Sequence, residues 1–194
     1  MSINEEEKIQ IVAFSTNEKT QTPNDIIQIL LDNYTHTIIK KSRHSLSFTL
    51  VLPETIKSSK IMICSVLNLS REYTGITNVN CYIILVDLYN DNSKNNLNSI
   101  ISYIKIYCDL SKAFFVLGII NKASESKQMI TQGDIKKSMG PMNLNYEYIE
   151  LDLSKVKEIT NYILNIFIKS SKEGRGEENK IEQNGKESNS CNMF

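Results

Sequence analysis

An α/β fold, arranged as a three-layer sandwich around a mostly parallel sheet of about six strands, is what the amino-acid sequence predicts. Strand-length apolar runs recur along the chain, and stretches with an apolar stripe at helical spacing separate most of them. Two of the runs, Cys81-Tyr82-Ile83-Ile84-Leu85-Val86 and Ala113-Phe114-Phe115-Val116-Leu117-Gly118-Ile119-Ile120, are almost continuously apolar. Strands of that kind fit a parallel sheet covered on both faces, where neither side meets water.

The first strand, Ile9 to Phe14, leads through a polar turn, Ser15 to Thr22, into a helix that begins near Pro23-Asn24-Asp25. Proline suits a first helical turn because the N–H it lacks would go unpaired there, and the aspartate faces the positive end of the helix dipole. Ile26, Ile27, Ile29 and Leu30 give that helix its apolar face. Ser47 to Leu52 and Lys60 to Leu69 read as the arms of an antiparallel hairpin around Pro53 to Ser59, with the second arm going inward in the sheet. Cys81 to Leu88 is the best core strand. Leu97, Ile100, Ile101, Ile104 and Tyr107 place a helix over Asn96 to Tyr107. After the strand Ala113 to Ile120 comes a shorter helix, Gln132 to Met139, ended by Gly140-Pro141. Glu147 to Leu153 is the last strand, and Val156 to Ile168 a closing helix with Ile159, Ile163, Ile166 and Phe167 on its inner side. Strands that alternate with helices imply right-handed crossovers.

Composition bounds the organisation. A chain of 194 residues, 41% hydrophobic and 23% charged, is long enough for one domain with a full core plus a tail. The domain is expected over 1–169. From 170 to 194 the residues are Gly, Glu, Lys, Asn and Ser with few apolar ones, so this tail buries too little surface to offset its ordering entropy and is expected to be disordered. The 22 basic and 22 acidic residues cancel, which leaves no global field to draw nucleic acid or an anionic membrane. The four cysteines, Cys64, Cys81, Cys108 and Cys191, form no CxxC pair, and Met1 to Lys8 is acidic and polar with no apolar leader, so a reducing intracellular compartment is expected. His36 and His44 lie in a polar segment without partners at ligand spacing and read as surface residues.

The places where chemistry would sit are emptied of it. After the first strand, Ala13-Phe14-Ser15-Thr16-Asn17-Glu18-Lys19-Thr20 keeps the Lys-Thr pair of a phosphate loop but neither glycine. Those glycines let backbone N–H groups close around phosphates, and Glu18 would set a negative charge against a polyanion. The end of the third strand, Val66-Leu67-Asn68-Leu69, lacks the DxxG that would organise magnesium. Asn121-Lys122-Ala123-Ser124 echoes a guanine-reading NKxD, but Ser124 replaces the carboxylate that would accept from the base. Leu151-Asp152-Leu153-Ser154 stands where a SAK-like loop would close the site. Asp87, followed by Asn90-Asp91-Asn92-Ser93, reads as a loop and helix-cap cluster, and Tyr82, Tyr103, Tyr107, Tyr146 and Tyr148 as core or half-buried residues. Cys64 and Cys81 sit in apolar strands with no histidine beside them and read as inert. No catalytic, metal or cofactor residue is assigned.

Together these features resemble a Ras-like, P-loop GTPase-like fold with a degenerate nucleotide site. From Lys60 to about Ile168 the chain is similar to the centromere protein M family, a pseudo-GTPase group of the inner kinetochore. The likeness is carried by Lys60-Ile61-Met62-Ile63 with Leu67-Asn68-Leu69, by Cys81 to Leu88, and by Ser111-Lys112-Ala113-Phe114-Phe115-Val116. It continues through Ser124-Glu125-Ser126, Ile130 to Met139 and Tyr148-Ile149-Glu150-Leu151-Asp152-Leu153. The resemblance implies a nuclear, centromeric scaffold without enzymatic activity or cofactor, whose partners are centromere protein I and the centromere protein H and K pair. The Rab-like domain of the alpha- and gamma-adaptin binding protein resembles the same strand order and implies an adaptor-assembly chaperone instead. A further alternative comes from Cys191-Asn192-Met193-Phe194, which has the cysteine position of a prenylation box and makes Cys191 a candidate lipidation site on a membrane-anchored Ras-like protein.

Overall fold

Alternation along the first strand explains most of the architecture. The computed structural model describes residues 7–17, 23–41, 45–51, 58–66, 78–120 and 127–170. In chain order the elements are β1 (Glu7–Ser15), α1 (Pro23–Leu31), β2 (His36–Lys41), β3 (Ser45–Val51), β4 (Ser58–Val66), β5 (Cys81–Asp87), α2 (Ser93–Tyr107), β6 (Ala113–Ile120), α3 (Gln132–Met139), a 3-10 turn Gly140–Met142 and β7 (Tyr146–Asp152). A fourth helix, α4, covers 156–170. The strands form one sheet in the order β2-β3-β4-β1-β5-β6-β7. β1 is parallel to both neighbours, β5, β6 and β7 continue parallel, and β2 and β3 run antiparallel at the other end.

Because side chains alternate across a strand, β1 feeds two separate cores. Ile9, Ile11 and Ala13 join a cluster with Ile26, Ile27, Leu30 and Leu31 of α1 and Ile159, Ile163 and Phe167 of α4. Val12 and Phe14 point the other way, into Leu97, Ile100, Ile101 and Ile104 of α2 and Ile135 and Met139 of α3. Helices therefore pack on both faces. Every residue of β5 is buried, as its unbroken apolar run requires. Aromatic contacts fasten each core: Tyr82 stacks on Phe114 at 4.7 Å between centroids, and Phe48 of β3 meets Phe167 of α4 at 6.2 Å. α3 is short for an independent helix, and a capping box supports it. The Thr131 side chain accepts from the Asp134 N–H while the Asp134 carboxylate accepts from the Thr131 N–H, and the Thr131 hydroxyl, donating at 2.7 Å, holds the Asp134 carboxyl well below the usual carboxylate range with help from Lys94 at 3.0 Å.

The sheet has seven strands rather than about six. The added one is β2, inside the segment in which His36 was expected as a lone surface residue. Its apolar pair, Ile38-Ile39, is adjacent rather than alternating, and five of its six residues are exposed, so it carries almost no period-2 signal. Among the described residues it pairs only with β3, and a bulge between Ile38 and Lys40 breaks its register. The antiparallel hairpin runs as expected, β3 to β4 with β4 inward against β1, while most of the Pro53 to Ser59 turn lies outside the described residues. Helices α2 and α4 extend slightly beyond the expected Asn96 and Ile168 limits. Tyr107, expected at a core or half-buried position, is 48% exposed at the end of α2.

Gly118 in β6 is set by close approach, not by an unusual backbone angle. A Cβ there would meet Tyr148 Oη at 2.7 Å and Leu88 Cδ1 at 3.2 Å, because the Tyr148 ring leans across from β7 and its hydroxyl donates to Glu150 Oε1 at 2.8 Å. A strand glycine often marks such an approach. Gly118→Ala is expected to lower the denaturation midpoint, and Tyr148→Phe in the same chain to recover part of the loss, since removing the hydroxyl opens the nearest contact. Equal losses with and without Tyr148→Phe would show that the hydroxyl is not what the glycine accommodates.

Candidate functional site at the crest of β1 and β5

In open α/β sheets the place for a ligand is the crevice at the carboxyl ends of adjacent strands whose connections leave to opposite faces. Here those strands are β1 and β5: the helix after β1 packs on one face and the helix after β5 on the other. The crest between them is built from Thr16, Asn17, Asp87, Ser93 and Asn96, and these groups are bonded to one another. The Thr16 N–H continues the ladder by donating to the Leu85 carbonyl at 2.9 Å. Its hydroxyl accepts from the Asp87 N–H at 3.0 Å and lies 2.9 Å from Ser93 Oγ, while its carbonyl accepts from Asn96 Nδ2 at 2.8 Å. Asn17 Nδ2 donates to Asp87 Oδ2 at 2.7 Å, and the Tyr89 N–H donates to Asp87 Oδ1 at 3.0 Å. Thr16, Asp87 and Ser93 are all buried.

An anion nest needs successive backbone N–H groups converging on open space. The Thr16 N–H is spent on Leu85, and the Asn17 N–H donates to Ser15 Oγ at 3.1 Å. Asp87 forms an Asx-type turn, as a loop-cluster reading expects. The helix-cap part of that reading does not hold: Asn92, at the α2 cap, makes no side-chain capping bond, and its own N–H is taken by Asn90 Oδ1 at 2.9 Å. Beside the crest, on the α1 face, Ala13, Pro23, Ile26, Ile63, Leu85 and Ile163 line a small gap with no polar wall.

The remaining sequence candidates scatter. Glu18, Lys19 and Thr20, the Leu67-Asn68-Leu69 segment, Asn121 to Ser124, His44 and Cys191 lie outside the described residues. Asp152 at the end of β7 is turned onto its own loop, accepting from the Ser154 N–H at 3.0 Å and the Ser154 hydroxyl at 2.7 Å. His36 sits on β2 with Nδ1 2.9 Å from the Tyr34 carbonyl. No group of three or more His, Cys, Asp or Glu side chains able to hold a metal occurs among the described residues, and no helix there is long and apolar enough to cross a membrane. Sequence reasoning singled out Asp87 but not Thr16 or Asn96, whose partners lie about 70 to 80 residues away along the chain. The one available signal was a run of small polar residues, Ser15-Thr16-Asn17, directly after an apolar strand.

Cys64, Cys108, Tyr82 and Tyr162 sit in settings that favour their neutral forms. Burial pushes the Cys64 thiol up and the Cys108 thiol up to about 11. Burial likewise raises Tyr82 to about 12, partly offset by the Asp109 N–H that donates to its hydroxyl, and raises Tyr162 to about 12 with help from Glu147. Cys81 is buried and accepts from the Ser170 hydroxyl at 3.0 Å. Thiolate nucleophiles need the opposite environment.

Neither a protein-family model nor a curated protein matches the sequence.

Two outcomes follow from this geometry. Thr16→Val keeps the volume but strands the Asp87 N–H and the Ser93 hydroxyl, so it is expected to cost about 1 to 3 kcal/mol in urea unfolding; an unchanged midpoint would mean the crest bonds add nothing. Raised pKa values in the folded state mean that the folded chain holds its protons longer than the unfolded one. The associated stability is present below the ordinary values of 9.0 for Cys108 and 10.0 for Tyr82 and is lost as pH climbs through about 11 to 12. Unfolding midpoints measured on the alkaline side should therefore fall, and Tyr82→Phe should flatten that fall.

Proposed function

We propose that the chain is a non-catalytic scaffold with a Ras-like sheet and a degenerate nucleotide site, working in the inner kinetochore by binding other proteins. The observation that carries the non-catalytic part is the crest of β1 and β5, where Thr16, Asn17, Asp87, Ser93 and Asn96 satisfy one another. A polyanion entering there would have to displace bonds already made by buried Thr16, Asp87 and Ser93, at about 1 kcal/mol or more for each buried group left unpaired. The Ras-like reading is supported by the strand order: without the outermost strand it runs β3-β4-β1-β5-β6-β7, with β3 alone antiparallel.

The centromeric assignment rests on the resemblance of Lys60 to Ile168 to the centromere protein M family. It names the partners as centromere protein I and the centromere protein H and K pair, in the nucleus. Binding on such a scaffold needs exposed apolar side chains, and Ile106, Tyr107 and Leu110 fall together where α2 ends, with Ile106 72% exposed.

The test is co-purification of the tagged full chain with centromere protein I and the H and K pair, alongside imaging of the tagged chain. Retention of those subunits and coincidence with centromeric chromatin are the expected results, and absence of both removes the assignment. In parallel, GTP or GDP with magnesium should leave the melting temperature unchanged. A rise of several degrees would overturn the empty-site reading, because a ligand that binds only the folded state must stabilise it.

A further inference from the structure

The faces of the sheet carry helices, but its two rims differ in character. At one rim β2 pairs with β3 alone among the described residues, so no described strand lies along its outer backbone edge. Such an edge presents a row of N–H and C=O groups ready to pair. Ile38 and Ile39 on that rim are 42% and 50% exposed. Lys40 and Lys41 follow them, also exposed. No acidic residue occurs from Asn33 to Val51, although the chain as a whole is neutral. Lys41 Nζ donates to Gln28 Oε1 at 3.4 Å, and Gln28 in turn donates to Asp32 Oδ1 at 2.8 Å, so the two ammonium groups lie beside apolar side chains with one carboxylate, Asp32, linked to Lys41 through Gln28.

The bulge between Ile38 and Lys40 and the two lysines are devices that discourage indiscriminate pairing. They do not act equally on every strand. A basic strand is repelled and a neutral one must desolvate the ammonium groups, whereas a strand carrying carboxylates gains from them, because opposite charges across a strand pair stabilise it. A second copy of this chain offers less: the acidic rim strand β7 has Glu147 paired with Lys169 at 2.6 Å and Glu150 accepting from Tyr148 Oη.

We propose that the outer edge of β2 is a docking strand for an extended acidic segment of a partner protein. The segment adds to the sheet through backbone hydrogen bonds, sets an aliphatic side chain beside Ile38, and places carboxylates against Lys40 and Lys41. Ile38 is in register with Phe48 and Lys41 with Leu46, both core residues of the α1 and α4 face, whereas Lys40 is in register with Ser47 on the opposite face. Carboxylates are thus recognised on both faces of the added strand and an aliphatic group on one. The docking strand is independent of the centromere assignment, since it follows from the rim alone.

The experiment titrates the full chain into a fluorescein-labelled peptide of alternating Glu and Val and follows fluorescence anisotropy. Saturable binding that weakens with added salt is expected. The Lys40→Glu/Lys41→Glu chain should bind about tenfold or more weakly, with Lys40→Gln/Lys41→Gln substituting if charge reversal prevents folding by circular dichroism. A peptide with N-methyl groups on its central residues, which cannot donate to the edge, should lose binding. The proposal is overturned if the N-methylated peptide binds as tightly, or if the β2 variants bind like the original chain. It is also overturned if phosphatidylserine vesicles bind while the peptide does not, or if the chain is a dimer that dissociates in the charge-reversed variant.

Discussion

Parallel pairing of β1 with both β4 and β5 is the constraint on which the other features depend. Its register places Ile9, Ile11 and Ala13 toward α1 and α4 and Val12 and Phe14 toward α2 and α3. A slip of one residue would exchange the two sets and expose each core to the wrong partner, so the register is specified by the cores on both sides at once. That register also decides what stands at the crest. Because the β1 ladder continues to the Thr16 N–H and the Leu85 carbonyl, the Thr16 hydroxyl arrives opposite the start of α2, where Ser93 is buried and waiting for a partner.

The crest joins the carboxyl ends of β1 and β5 through a set of polar groups that bond to one another. Thr16, Asp87 and Ser93 are buried and mutually bonded there, and a buried polar group is worth little when paired and costs much when orphaned. That asymmetry favours the closed arrangement over any that opens the crest. Exposed apolar and basic side chains lie elsewhere: at the end of α2, with Ile106, Tyr107 and Leu110, and on the outer rim of β2. The rim differs from its counterpart at β7, whose acids are already engaged by Lys169 and Tyr148.

Much of the fold is legible in one dimension. Strands β5 and β6 declare themselves by apolar runs that only a doubly covered position tolerates, and α3 spans Gln132–Met139 and ends where Gly140-Pro141 stop it. Strand β2 is not legible, because an edge strand with exposed isoleucines and lysines has no buried face to impose a period. Tyr107 follows the helical stripe of α2 yet emerges beyond the sheet it would cover. Of the crest, Asp87 was visible as a carboxylate after a core strand, whereas Thr16, Ser93 and Asn96 were ordinary polar residues until the chain brought them together.

Local pattern was therefore enough for the α/β class, for the order of nearly all the elements and for the loss of both glycines after β1, since each depends on residues close together in the chain. The partners of Thr16, the faces given to each helix, the close approach that requires Gly118 and the place of β2 at the end of the described sheet emerged only in three dimensions. Each of these is a relation between segments far apart in sequence. Such relations are chosen by which packing buries the apolar runs while leaving nearly every buried polar group with a partner, Ser59 Oγ being the exception among the described residues, and that balance belongs to the whole sheet rather than to any window of residues.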